Sequence, residues 1–353
     1  MSDCSFQASL LAHGQKYPKM QPRDAVKLAY QSEFGGGHMI PDPQKSLAFL
    51  QRELAAVAPC ACQLAEPIGG GKVRLHLAAF GALSPELVNR VFVASANRAG
   101  GTQTGLEEKI SCIVALCTEG AFAFSAAELE SYLADYRAQG CPAVSHSEIY
   151  RDTYHPAYRV IDARYVPLLP LMAAIEARLR RGERVSVAID GMAASGKTTA
   201  AALIAEAFDG AVIHMDDFFL PPALRTPERL AEAGGNIDYD RFAAEVAEPL
   251  RNGMPVTYGV FDCSVMRVTH ERAVEEKPLT IVEGSYSRHP RFGAYADLTA
   301  FSCISAETQK ERILARNGEA MWQRFRDAWI PMENRYFAAF DIAKTADFTV
   351  QTA

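Results

Sequence analysis

No apolar run in this sequence approaches the roughly 18 residues that a membrane-spanning helix needs. A helical membrane anchor is therefore not expected, and no membrane partner is assigned. The first residues, Met1 to Lys16, lack a basic start followed by an apolar core, so no secretory signal is expected and the reading is cytoplasmic. An excess of basic residues is missing too. The net charge is −6, which argues against a nucleic-acid partner held by phosphate neutralisation. Zinc spacing is absent among the eight cysteines. Cys60-Ala-Cys62 is the one close pair, and no second Cys or His pair accompanies it. The cysteines are expected to be mostly reduced, small apolar residues. No internal repeat and no low-complexity tract stands out.

What is present is enough core for two domains. The chain has 353 residues, 49% of them hydrophobic. The expected boundary lies near residue 160. Residues 1–160 read as a mainly helical α+β domain whose role the sequence does not reveal. Helices are expected from Pro22 to Glu33, ending at Gly35-Gly36-Gly37, and from Pro43 to Val57. Ser84 is placed as the N-cap of another, and two more cover Leu106 to Thr118 and Ser125 to Gln139. Gln63 to Glu66 and Lys72 to Ala79 read as paired strands around Gly69-Gly70-Gly71. The segment from Ser145 to Arg159 is dense in aromatics, which favours burial over ligand binding.

The second half is organised around Arg184 to Phe208. Val185 to Ile189 is a short apolar strand with β-branched residues. Gly191 to Thr198 fits G-x-x-x-x-G-K-[ST], the phosphate-binding loop, and a helix without proline follows from Lys197. Gly191 and Gly196 allow the tight turn that aims successive N–H groups at phosphates. The nucleotide is thus expected on Gly191, Ala193, Ala194, Ser195, Gly196, Lys197, Thr198 and Thr199. Lys197 supplies a point charge and the Thr198 hydroxyl a ligand for Mg²⁺.

Further strands are expected at Ala211–Met215, Leu279–Val282, Leu298–Ile304 and Phe348–Gln351. Alternation with helices implies a parallel sheet of the P-loop NTPase type, with helices on both faces and ligands at the carboxyl edge. Asp216, just past the second strand, is placed to take a proton from an attacking hydroxyl. Glu283, just past the third, is assigned to Mg²⁺. The insert between them offers polar and aromatic groups, Asp238, Tyr258, Phe261 and Arg267 among them, suited to a small hydroxylated substrate. Arg312 and Arg316, four apart on one helix face, can close over phosphates.

Residues 183–351 resemble the uridine kinase group, which includes nicotinamide riboside kinase. The resemblance rests on Gly-Met-Ala-Ala-Ser-Gly-Lys-Thr-Thr at 191–199, Asp216-Asp217-Phe218-Phe219, Asn236-Ile237-Asp238, Val282-Glu283-Gly284 and Arg312 with Arg316. It implies that Asp216 is the base, that Glu283 belongs to the Mg²⁺ site, that Asp238 binds a ribose hydroxyl and that the arginines form a lid. The pyrimidine pocket departs from that group: Tyr258, Phe261-Asp262 and Arg267 have different spacing. The expected activity is ATP-dependent phosphorylation of a hydroxyl on a small metabolite, a nucleoside first. A kinase for another small alcohol, sugar or pantothenate-like, is the alternative, as is a nucleotide-dependent regulator. Oligomerisation, as a homo-oligomer, is left open.

Overall fold

The computed structural model describes residues 4–352. They form two compact units that divide between Val166 and Pro167.

Unit 1 carries helices α1 (Cys4–Lys16), α2 (Pro22–Phe34), α3 (Pro43–Ala56), α4 (Pro85–Asn97), α5 (Gln103–Thr118), α6 (Ala126–Ala138) and α7 (Glu148–Tyr154). Local chemistry fixes where they begin. Ser84, Thr102, Ser125 and Ser147 each accept the amide three residues on, satisfying one of the orphan donors of a first helical turn. Helix α2 stops at Gly35, whose φ of +68° suits glycine. Strands β1 (Ala65–Gly69), β2 (Lys72–His76) and β3 (Tyr158–Asp162) form an antiparallel sheet in that order. The apolar core gathers Phe6, Leu10, Val26, Ile68, Ile110 and Tyr150. Tyr150 and Tyr154 of the aromatic segment thus belong to unit 1 itself.

Cys60 and Cys62 form a disulfide, the exception to the mostly reduced cysteines expected. Their Cα atoms are 5.4 Å apart, within the range a bridge can span. Among the described residues Cys117, Cys141, Cys263 and Cys303 are free thiols, and the side chain of Cys4 lies outside them.

A buried polar cluster braces unit 1. Glu66 accepts from His13 Nδ1 (2.7 Å), Lys16 Nζ (2.6 Å), Tyr17 OH (2.9 Å) and His76 Nε2 (2.9 Å). Burial pushes its carboxyl up, but the bonds from His13 and His76 outweigh that and hold it well below the usual range. His146 Nδ1 bonds to Asp24 Oδ1 at 2.8 Å, and its Nε2 pairs with Tyr158 OH at 2.6 Å. Burial and the charge of Arg74 lower His13 to about 4. Burial likewise lowers His146 to about 4, against the pull of Asp24.

The sign of the pH effect follows. An unfolded histidine binds its proton near pH 6.5, whereas these two stay neutral in the fold down to about pH 4. Between those limits the unfolded chain holds more protons, so stability falls as pH falls, by on the order of a few kcal/mol. Scanning calorimetry of the full chain should show a transition that drops by several degrees from pH 7.5 to 5. A transition independent of pH over that window refutes the neutral buried histidines.

Unit 2 is built on a parallel sheet. Its strands are β4 (Val185–Gly191), β5 (Ala211–His214), β8 (Leu279–Glu283), β9 (Leu298–Cys303) and β10 (Phe348–Gln351), ordered β10-β9-β4-β8-β5. Between β5 and β8 in sequence, β6 (Thr257–Asp262) and β7 (Arg267–Ala273) pair as a separate hairpin. Helices flank the sheet: α8 (Leu169–Leu179) packs on β4, and α9 (Lys197–Phe208) on β4, β5 and β8. Helix α8 follows a 3₁₀ turn over Ala163–Leu168. Pro170 then sits in its first turn, where a missing N–H costs nothing.

The strand order places the site. From β4 the chain moves to one side to lay down β5 and then β8, and only afterwards crosses to β9 and β10 on the other. The carboxyl end of β4 is therefore the switch point, where open α/β sheets form their ligand crevice. Among the described residues no helix is long and apolar enough to cross a membrane.

Candidate functional site

Strand β4 ends in Asp190-Gly191 and turns into the loop. At Gly191 (φ +145°) a Cβ would stand 2.1 Å from the Ser302 carbonyl oxygen of β9, so only glycine fits. Gly196 (φ +90°) caps α9, and Ala194 also takes a positive φ of 58°. The N–H groups of Lys197, Thr198 and Thr199 open the helix, where no intrahelical acceptor exists. Lys197 Nζ donates to the carbonyls of Gly191 (2.9 Å) and Met192 (2.8 Å), which suspends the ammonium over the loop. An ammonium has three donors, so one remains for a ligand oxygen. Strand, turn, lysine and helix together decide the architecture. Unit 2 has a P-loop NTPase fold.

Around this P-loop the register brings acids to one level. Glu283 of β8 stands opposite Ile189 of β4 and His214 of β5. Its Oε1 accepts from Thr198 Oγ1 (3.0 Å) and meets His214 Nδ1 (2.6 Å). The bond to Glu283 raises the His214 pKa against the opposing effect of burial. Gly284 follows at φ +137°, where a Cβ would come within 2.6 Å of Met215.

Asp216 and Asp217 lie in a 3₁₀ turn after β5 and behave differently. Asp217 Oδ2 accepts from Tyr258 OH (3.0 Å) and Arg272 Nη1 (3.2 Å). Asp216 bonds to no protein group among the described residues, and its side chain reaches solvent. Crowding by protein atoms and the charge of Glu283 raise its pKa, opposed by Lys197. Water at its tip limits the size of that rise.

The other expected residues fall in varied places. Asp238 caps the short helix Tyr239–Phe242 and lies 3.6 Å from Arg241 Nε. Tyr258 and Phe261 are buried on β6, Tyr258 among the core aromatics. Arg267 begins β7 on an exposed stretch. Arg312 Nη1 donates to the carbonyl of Ala194 (3.2 Å) and to Thr352 Oγ1 (2.9 Å), bracing the loop from behind. Arg316 is exposed and bonds its neighbour Asn317, two residues before Gly318 breaks the helix Ala306–Arg324. The structure thus brings Lys197, Thr198, Glu283 and Asp216 to the carboxyl edge, while Arg316 and Arg267 stay on exposed surface.

Three further groups at the site are not marked by any motif in the sequence. Glu333, from the helix Ile330–Ala339, accepts from the Ala193 amide (2.9 Å) and Ser285 Oγ (2.7 Å). Burial raises its pKa, opposed by Lys197. One loop N–H expected on phosphate is therefore bonded to a carboxylate 140 residues away. Gln309 Nε2 holds the Ala193 carbonyl at 3.0 Å. Asp190, fully buried, accepts from the amides of Gly191 (2.7 Å), Tyr286 (3.1 Å) and Arg288 (3.0 Å) and from Tyr336 OH (2.7 Å). An acid closing an apolar strand is the one hint the sequence gives of it. A cavity of about 90 Å³ in unit 2 lies at the amino end of β4, beside Arg184 and Met254, away from the loop. The chemistry, not the cavity, marks the site.

No protein-family model matches the chain, and no curated protein does. Solved structures do. A protein described as a possible uridine kinase from Bacillus stearothermophilus is 18% identical, with a TM-score of 0.38, over 51% of this chain and 98% of that one. A protein from Silicibacter, provisionally assigned as a fructose transport system kinase, is 23% identical, with a TM-score of 0.41, over 51% and 98%. A provisional P-loop kinase with a circular permutation, from Saccharomyces cerevisiae, is 12% identical, with a TM-score of 0.40, over 52% and 98%.

Proposed function

We propose that unit 2 is an ATP-dependent phosphotransferase acting on a hydroxyl of a small metabolite, with nucleosides as the first class of acceptor. The observation that carries this reading is the pairing of two carboxylates at the loop. Glu283 touches the Thr198 hydroxyl, while Asp216 alongside bonds to no protein group among the described residues. One acid is spent at the metal position and the other is left for the acceptor.

The residues fit Mg²⁺. Thr198 Oγ1 and Glu283 Oε1 are hard oxygen ligands 3.0 Å apart. Among the described residues no group of three or more His, Cys, Asp or Glu could hold a metal alone. When bound, Mg²⁺ supplies positive charge that neutralises the phosphate oxygens.

The protein does the rest. Loop amides and the first turn of α9 hold the phosphates by N–H donation. The third N–H of Lys197 reaches the transferring group and opposes the charge that spreads over it. Asp216 accepts the hydrogen bond of the acceptor hydroxyl and aims its oxygen at the phosphorus, then takes the proton as the new P–O bond forms and the bond from the γ-phosphorus to the bridging oxygen breaks, releasing ADP. Asp238, Phe261 and Arg267 are the proposed acceptor contacts and Arg316 the proposed phosphate lid, while Arg312 holds the loop through Ala194. For Asp238 the helix cap leaves carboxylate lone pairs to spare. Buried Tyr258 acts through Asp217, positioning the turn that bears Asp216.

The test is a screen of the purified chain with ATP and Mg²⁺ against nucleosides, sugars and pantothenate-like acids, read as ADP release. ADP release that depends on a nucleoside is the expected result. Release that depends on a sugar or another alcohol reassigns the acceptor. Release with no acceptor dependence refutes the kinase reading in favour of a nucleotide-driven regulator.

A further inference from the structure

Unit 1 contains a cavity of about 170 Å³ that the chemistry of the P-loop does not use. Its wall includes Tyr17 of α1, Arg74 and His76 of β2, Tyr150 and Tyr154 of α7, and Tyr158 of β3. Four elements therefore converge on it, and most of what they present is aromatic.

Arg74 is the unusual wall residue. It is 1% exposed. Its Nε and Nη2 donate to Gln31 Oε1 at 3.1 and 2.9 Å, and its Nη1 donates to His13 Nε2 at 3.0 Å. The guanidinium lies over the Tyr158 ring, 4.5 Å from its centre. A guanidinium has five N–H groups, so one on each terminal nitrogen is left over. Both acceptors are uncharged: one is an amide oxygen, the other a histidine held neutral by burial. Among the described residues no carboxylate lies within ion-pair distance of Arg74.

Buried charges are normally paired. The two carboxylates of this cluster are already committed. Glu66 answers four donors, and Asp24 answers His146, Ser147 and the Gln21 amide. Glu66 favours the charged form of Arg74 from beyond ion-pair distance, and the cavity lies against the guanidinium. Four tyrosines around it offer flat faces for a ring and hydroxyls for its edge. His76 spends Nε2 on Glu66 and keeps Nδ1 for a second polar contact.

We propose that this cavity is a binding site for a small planar organic anion, with its carboxylate or phosphate on Arg74 and its ring among Tyr17, Tyr154 and Tyr158. Such a site rejects an uncharged analogue of the same shape, because binding it would leave the guanidinium buried and unpaired. The cavity then gives unit 1 a recognition role of its own, chemically distinct from nucleotide binding.

The test uses the full chain, with benzoate, phenyl phosphate and benzamide as probes, by calorimetry and hydrogen exchange. Benzoate or phenyl phosphate should bind saturably at millimolar concentration or below, and whichever binds identifies the anion. Benzamide should bind at least about tenfold more weakly. Binding should protect the amides of residues 148–158, survive Lys197→Ala, and be lost in Arg74→Met. Because Arg74 is buried, Tyr154→Ala serves as a second variant, and it should weaken binding about tenfold or more. The proposal is overturned if neither anion binds, if benzamide binds equally well, or if binding disappears in Lys197→Ala while Tyr154→Ala leaves it intact.

Discussion

The Lys197→Ala chain is expected to fold normally and to transfer no measurable phosphoryl group. Among the described residues its side chain bonds to the loop carbonyls of Gly191 and Met192. Their loss costs about 1 kcal/mol each, which is a few degrees in melting temperature for a unit of this size. The loop itself stays braced by the Arg312 bond to Ala194, the Gln309 bond to Ala193 and the Ser302 bond to Ser195. Turnover suffers far more. A fixed cation at a transferring phosphoryl group opposes charge that develops only in the transition state, and losing such a group costs about 10³-fold or more. Circular dichroism checks the fold, and ADP release with the acceptor found by the screen checks the rate. Near-normal turnover in a folded variant would remove the loop from the mechanism.

Asp216→Asn is expected to lower kcat by about 10²–10⁴-fold, with ATP affinity nearly unchanged. Asparagine keeps the shape and one acceptor oxygen but cannot take a proton. The transition state of phosphoryl transfer is loose, so part of the loss reflects positioning. The raised pKa of Asp216 adds a pH signature. The ionised form is the competent one, so kcat should rise as pH passes upward through that pKa and then level off. The asparagine variant should lose this rise.

Asp217→Asn is the control. Its carboxylate is held by Tyr258 and Arg272, so its loss should loosen the turn and the β6–β7 hairpin and lower stability more than kcat. If Asp217→Asn proves the crippled variant, or if both keep normal kcat, the base is misassigned.

The parts of the site legible in the sequence are those written in one continuous stretch. Residues 185–208 combine a buried strand, two glycines in unusual backbone conformations and a helix start, and each leaves its mark on neighbouring positions. Asp216 and Glu283 were legible because strand ends follow from apolar runs, and the register of a parallel sheet levels those ends. Glu333 was not. It is the one acid of the helix Ile330–Ala339, with no motif around it, and only the tertiary fold brings it to Ala193. The β6–β7 hairpin was missed for a similar reason. Arg267 to Ala273 is almost wholly exposed, so it lacks the alternation that marks a half-buried strand. Arg312 and Arg316 share a helix face by spacing, yet the structure gives one to the loop and the other to Asn317. Spacing predicts a face and says nothing of what lies opposite it. The Cys60–Cys62 bridge shows the opposite limit, because proximity in sequence does not reveal oxidation.

Strand β10 has a kinetic consequence. Thr352 Oγ1 donates to the Ser195 carbonyl at 2.8 Å, across 157 residues of chain. The same hydroxyl accepts from Arg312, so one contact ties the back of the P-loop to residue 352. During synthesis at about 5–20 residues per second, the loop emerges long before its support. Over those 157 residues it must wait about 8–31 s, already holding its motif but not its brace. Closing so long a span is entropically costly and late. The most local signal in the sequence is thus finished by one of the least local contacts in the fold.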